Sequence, residues 1–230
     1  MTTRDAEHPL RPEAPRDRDA DRPLRRDAQR NRELLVDAAR EVFAARGLDA
    51  PLEDVARRAG VSIGTLYNRF PARAGLIDAA LIDTMEGAVR SAEAALANVD
   101  PWQGLVEHLT AISALQAGHR GFTDICVQTL PPETATEQAK GRAHALFVAL
   151  LDRAKQAGVL RPDVDSSDVG LLGWAAVRAT EGLRGVAPEA WRRHLAIVLD
   201  GLRADGATPL PGAPLTPAAV RDAMAHDHGP

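Results

Sequence analysis

The stretch VSIGTLYNRFP, Val61 to Pro71, decides how the rest of the chain is read. It holds the only tyrosine, Tyr67, and mixes small, hydroxyl and basic groups with Ile63, Leu66 and Phe70. At helical pitch Ile63, Leu66 and Phe70 fall at i, i+3 and i+7 and form an inward stripe. Gly64, Thr65, Asn68 and Arg69 then stand outside, with Tyr67 at the margin. Gly64 permits close backbone approach. The hydroxyls of Thr65 and Tyr67 suit phosphate oxygens, and Asn68 and Arg69 suit base edges or backbone. Just upstream, LEDVARRA (residues 52–59) is a second short amphipathic segment. Between them, Ala59-Gly60-Val61-Ser62 has the form of a C-cap glycine followed by a serine N-cap. Helices this short are unstable alone in water, so they need a platform. The stripe Leu34, Leu35, Ala38, Ala39, Val42 and Phe43, stopped by Gly47, is the nearest one. The unit is a helix-turn-helix with the side-chain inventory of a major-groove recognition helix.

The charge distribution agrees. The whole chain of 230 residues has a formal net charge of -4, which does not announce a nucleic-acid binder. Between Arg22 and Arg73, however, eleven arginines face seven acidic residues, a local +4 that leaves -8 for the remainder. A basic segment on an acidic body is the electrostatic footprint of a small DNA-binding module. A solvated arginine-rich helical face would give the same count.

Proline punctuates the rest. Pro51, Pro71, Pro101, Pro131, Pro132, Pro162 and Pro188 each sit at a break between helical patterns. No strand-length alternation occurs, so the expectation is an all-α protein of about nine helices. They are placed at 27–46, 52–59, 63–70, 72–98, 102–118, 122–130, 133–157, 165–183 and 188–204. Residues 1–22 are charged, proline-containing and poor in apolar groups, and are expected to form a disordered arm. Residues 205–230 are expected to form a flexible Pro/Gly-rich tail, with room for a short helix at 217–225. Residues 23–71 are the expected helix-turn-helix domain, and 72–204 the helical sensing and dimerisation domain.

One cysteine, Cys126, rules out an internal disulfide and a cysteine-based zinc site, and fits a reducing cytoplasm. No apolar run approaches a membrane span and no leader-like h-region opens the chain, so no membrane partner is expected. There is no GxSxG, P-loop or HExxH motif, no paired His/carboxylate set and no Cys/His nucleophile pairing, so no catalytic residue, cofactor or metal is assigned. His108, His119 and His144 lack metal-ligand spacing.

From about Arg26 to Leu81 the chain resembles the TetR family of bacterial one-component transcriptional regulators. The resemblance is carried by FAARGLDAP, by LEDVARRAGVSIGTLYNRFP, and by Arg73 and Leu76 beyond it. It implies an all-α homodimer, with helices one to three on a palindromic double-stranded operator and the last two helices in a four-helix dimer interface. By position, Ser62, Gly64, Thr65, Tyr67, Asn68, Arg69 and Arg73 would meet DNA, Tyr67 and Arg73 mostly through phosphate. Arg25, Arg26 and Arg30 would lie near phosphates or a minor groove. The sequence departs from the family at Ala50-Pro51, where a capping threonine is common, and at Arg69, often histidine.

The resemblance makes the body a sensor for a small, apolar effector. Met85, Trp102, His108, Ile112, Phe122, Cys126, Phe147, Trp174 and Arg178 are the candidate pocket residues, with plain core packing as the competing reading. Two stripes are the candidate dimer face: Val169, Leu172, Gly173, Ala176, Thr180 and Leu183, then Trp191, Leu195, Val198 and Leu202. Both could equally face the subunit's own core. The leading expectation is a ligand-released repressor. A helical protein-interaction adaptor, or a small all-α enzyme without DNA readout, remains the alternative.

Overall fold

The computed structural model describes residues 21–216, 219 and 220, with side chains from Asp27 onward. Among the described residues the chain forms nine α-helices: α1 (Asp21–Arg46), α2 (Leu52–Ala59), α3 (Ile63–Arg69), α4 (Arg73–Ala97), α5 (Pro101–Gly118), α6 (Arg120–Val127), α7 (Ala135–Gln156), α8 (Ser166–Arg178) and α9 (Ala190–Leu202). A 3-10 turn at Glu181–Leu183 lies between the last two.

The expected punctuation holds where it matters. Gly60 adopts φ 70° and its N–H reaches the carbonyls of Ala56 and Arg57, closing α2. Ser62 then caps α3 by accepting from the Thr65 N–H at 3.1 Å. Asp100, Thr134 and Asp165 cap α5, α7 and α8 in the same way. Two features differ from expectation. Helix α1 starts six residues before position 27, with Asp21 and Arg22 in its first turn, so the last two residues assigned to the arm are helical. Residues 1–20 lie outside the described residues. The helix expected over 165–183 ends at Arg178, because the Thr180 hydroxyl turns back onto the carbonyls of Ala176 and Val177 and the glycine-containing 3-10 turn follows.

The tail also departs from expectation near its start. Leu160 and Arg203 form an isolated antiparallel bridge. The buried Arg161 guanidinium binds the Thr208 carbonyl and Asp163, and Asp163 accepts the Leu210 N–H at 3.0 Å. Residues 203–210 are thus pinned to the body rather than free. Of the helix expected over 217–225, Ala219 and Val220 are helical, started by the Thr216 hydroxyl, and the rest lies outside the described residues.

One apolar cluster runs unbroken from the short helices into the body. It joins Leu35, Phe43, Val55, Leu66 and Phe70 to Leu76 and Leu81 of α4 and to Phe122 and Ile125 of α6. A second cluster, around Trp102, Leu105, Leu160, Trp191 and Leu195, ties α5, α7, α8 and α9. The first cluster fixes α6 between α1 and the helices α4 and α5 of the body. A side chain at Gly121 would lie 3.0 Å from the Phe43 carbonyl and 3.2 Å from the Leu48 side chain, so α6 packs its backbone directly on the end of α1.

Candidate nucleic-acid interface and body cavity

Helix α3 is docked by Leu66, which is fully buried, and by Phe70 just beyond it. That leaves Ser62, Gly64, Tyr67, Asn68 and Arg69 exposed on one open face, with Tyr67 at 49 % exposure. Thr65 is half-buried and its hydroxyl is 2.9 Å from that of Ser62. The inward stripe read from the sequence is therefore two residues, not three. Ile63, the first residue of α3, is 36 % exposed and so is not part of the buried docking stripe. An apolar group there suits a thymine methyl. Its exposure follows from tertiary packing, which periodicity alone does not carry.

The arginine count overstates the free charge. Arg40 pairs with Asp37 and Asp83, Arg46 and Arg57 with Asp54, and Arg58 with Glu41. Arg32 stacks over the Phe70 ring at 5.3 Å, joining the middle of α1 to the end of α3. Arg73, expected at a phosphate, turns its guanidinium inward onto the carbonyls of Leu48 and Ala50. Its position at the start of α4 puts the 47–50 turn within reach, and three orphan-prone carbonyl contacts outcompete solvent. Arg30 and Arg69 are exposed and have no ion-pair partner among the described residues. The Arg25 and Arg26 side chains lie outside the described residues.

The 47–50 turn is held from the other side too. Gly47 has φ 84°, and the Leu48 N–H donates to Asp124 of α6 at 2.7 Å. Arg73 of α4 and Asp124 of α6 thus grip the turn that launches α2. Asp124 was not among the residues the sequence singled out, since a contact 76 positions away leaves no local trace.

Helices α4 to α8 line a half-open cavity of about 400 Å³ whose wall is mostly apolar. Of the residues expected there, Met85, His108, Ile112, Phe122, Cys126, Phe147 and Trp174 line it. Trp102 does not: it belongs to the second apolar cluster, with the Arg203 guanidinium 4.4 Å from its ring centroid. Arg178 does not either: it pairs with Glu181 and lines a separate polar crevice with Arg46, Arg120 and Asp124. Residues not anticipated also reach the main cavity, among them Ser113, Gln116, Glu137, Lys140, Ser167 and Val220. Val220 brings the C-terminal segment onto the wall.

Burial pushes the His108 imidazole down to about 4, so it is neutral near pH 7, with Nδ1 3.1 Å from the Ser91 hydroxyl. Burial likewise pushes the Cys126 thiol up to about 12, which keeps it protonated and unreactive. His119 is lowered by burial, and its Nδ1 accepts the Phe122 N–H to cap α6.

The candidate dimer face needs correction. Val169, Gly173, Ala176, Thr180, Trp191, Leu195 and Leu202 are buried within the subunit, and Val198 half-buried. The Trp191–Leu202 stripe faces the second apolar cluster of its own chain. Of the expected residues only Leu172 and Leu183 are exposed, beside the unanticipated Val186 and Ile197.

With this geometry in place, two family models match the chain. The model described as bacterial regulatory proteins, tetR family, covers residues 35–80, and that described as transcriptional regulator SbtR-like, C-terminal domain, covers 100–204. The TetR regulator SCO0520 of Streptomyces coelicolor is 30% identical, over 76% of this chain and 99% of its own, with a TM-score of 0.49.

This chain belongs to the TetR family.

It is a DNA-binding transcriptional regulator. The repressor KstR2 of Mycobacterium tuberculosis is 27% identical over 187 residues, 75% of this chain and 92% of that protein. Its solved structure aligns over 75% of this chain and 94% of its own at 24% identity, with a TM-score of 0.50, and shares the fold. Among the described residues a helical body follows the helix-turn-helix. No described helix is long and apolar enough to cross a membrane.

Proposed function

We propose that this regulator is a homodimeric repressor that reads a palindromic operator with α3 and leaves it when a small effector fills the body cavity. The observation that carries the reading is the open face of α3, where Ile63, Gly64, Tyr67, Asn68 and Arg69 stand exposed around the buried Leu66 anchor. Asn68 and Arg69 are assigned to base edges, Tyr67 and Ser62 to phosphate, and Ile63 to an apolar base edge. Arg30, with Arg25 and Arg26, is assigned to the flanking backbone. Arg73 is assigned to holding the 47–50 turn instead of phosphate. The dimer face is assigned to the exposed apolar side of α8 and α9 at Leu172 and Ile197.

Release has a route in α6. Phe122 and Cys126 line the cavity, while Gly121 and Asp124 of the same helix press on Phe43 and hold Leu48. An occupant that moves α6 moves the launch of α2, and with it α3. In a dimer the two recognition helices must match major grooves about one helical turn apart, so a small reorientation is enough to lower affinity. The helical-bundle adaptor and enzyme readings gain no support from any described residue.

Fluorescence anisotropy on a duplex from the chain's own upstream intergenic region, against a scrambled duplex, tests this. Tight binding to the first alone is expected, lost in Arg69→Ala. Equal binding to both duplexes in the wild type would overturn sequence readout by this face.

A further inference from the structure

The cavity that would hold the effector carries a record of what it accepts, and the inference drawn from it rests on the effector reading above. Its lysine and its glutamate are already spent. Lys140 lies 2.8 Å from Glu137, and its ammonium also donates to the Gln128 and Ile125 carbonyls. Glu137 in turn accepts the Leu130 N–H at 3.1 Å. His108 is neutral, as described, and its Nδ1 is taken by Ser91. The remaining wall is dominated by groups such as Met85, Phe147 and Trp174. A carboxylate entering this space would lose hydration and find the lining lysine already paired, while His144, the other basic residue there besides His108, is exposed to solvent.

Polar capacity without charge does remain. Ser167 is buried, lines the cavity from the first turn of α8, and its Oγ has no hydrogen-bond partner among the described residues. Buried hydroxyls are almost always paired; the Ser167 Oγ is closed off in this rotamer, and turning χ1 to another staggered position is what would bring it to an occupant. The second ring nitrogen of His108, Nε2, is a further group on that wall with no hydrogen bond among the described residues. Selective small-molecule pockets combine this kind of apolar lining with a few placed polar groups.

We propose that the cavity selects an uncharged, largely apolar molecule bearing a hydroxyl or carbonyl oxygen, which Ser167 Oγ and His108 Nε2 engage, and rejects the matching carboxylate. Ser167 can donate or accept, so it serves either oxygen type. The Ser167 backbone is fixed independently, its N–H held at 2.8 Å by Asp165. Removing the hydroxyl therefore leaves the helix cap in place.

The test uses matched probes on the full chain: biphenyl-4-ol against biphenyl-4-carboxylate, decan-2-one against decanoate, and biphenyl as the parent hydrocarbon. Occupancy is followed by Trp174 fluorescence, with Trp174→Phe to assign the signal, and release from the operator duplex by anisotropy. The neutral oxygenated probes should bind at least tenfold tighter than their carboxylates. Ser167→Ala should weaken the neutral oxygenated probes about tenfold, leave biphenyl unchanged and leave thermal stability undiminished. Carboxylates that bind as well as their neutral partners, a Ser167→Ala variant that binds every probe like wild type, or no binding by any probe would each overturn the proposal. Neutral probes that bind selectively yet leave the duplex bound would support it and sink effector release instead.

Discussion

Replacing Asp124 should expose how firmly the body grips the DNA-binding module. Its carboxylate accepts the Leu48 N–H at 2.7 Å, and Leu48 is 1 % exposed. Asp124→Ala leaves that donor without its charged acceptor. A hydrogen bond to a charged group contributes about 1.5–3 kcal/mol, and the half-exposed carboxylate places this one near the low end, about 1–2 kcal/mol. For a chain of this size that corresponds to a fall in Tm of about 2–8 °C. A second variant makes the reasoning sharper. A Cβ added at Gly47 would lie 2.5 Å from Asp124 Oδ2, and Gly47 has φ 84°. Gly47→Ala therefore carries backbone strain of about 1 kcal/mol plus a collision with the carboxylate. In the Asp124→Ala background only the strain remains, so Gly47→Ala should cost less there than in wild type. Urea denaturation of the four proteins yields the coupling energy, expected at about 1–2 kcal/mol for residues in contact. Additivity within about 0.3 kcal/mol would refute the grip.

Leu66→Ala, at a fully buried position, should cost about 2–5 kcal/mol and abolish operator binding, whereas Tyr67→Phe should leave denaturation unchanged and weaken only DNA affinity. Arg30→Ala should flatten the salt dependence of duplex binding by about one unit of log-log slope per protomer, while Arg58→Ala, paired with Glu41, should leave the slope unchanged. Arg73→Ala should lower the denaturation midpoint with little change in that slope, because its guanidinium serves the Leu48 and Ala50 carbonyls; a flattened slope at full stability would return it to the phosphate backbone. His108, held near 4 in the folded chain by burial, stays neutral where an unfolded histidine near 6.5 takes a proton. Its contribution is therefore fully present above about pH 6.5 and declines as pH falls toward 4, by up to about 3 kcal/mol, and His108→Gln should remove that part of the pH slope in urea titrations.

The helix-turn-helix was legible because its signals are local. Gly60 at φ 70° and the Ser62 cap sit where a two-residue punctuation rule puts them. The cavity was legible in part, since inward aromatic and aliphatic positions such as Phe122, Phe147 and Trp174 must face something enclosed. What periodicity does not carry is the identity of the covering partner. Trp191 and Leu195 have a buried face, and only the packed structure shows that it meets Leu105 and Leu160 of the same chain. Side chains that act at long sequence separation were equally hidden. Asp124, Arg161 and Ser167 look like ordinary helix or loop residues until Leu48, Thr208 and the cavity are brought beside them. Residue type misled at Arg73, where a cation in a DNA-binding segment turned to backbone carbonyls.

The short helix α6 draws these strands together. It has eight residues, too few to be stable alone, so its position is set by what it packs against on each side. One side presents Phe122 and Cys126 to the cavity. The other places Gly121 against the Phe43 backbone and Asp124 on the Leu48 N–H. Because Gly121 leaves no slack on that side and Phe122 sits in the same apolar cluster as Leu66, the helix cannot be pushed away from the cavity without disturbing the end of α1 and the turn that launches α2. Coupling between two sites requires an element whose position both of them bias. Here that element is α6, and the Asp124–Gly47 pair is where its bias reaches the DNA-binding module.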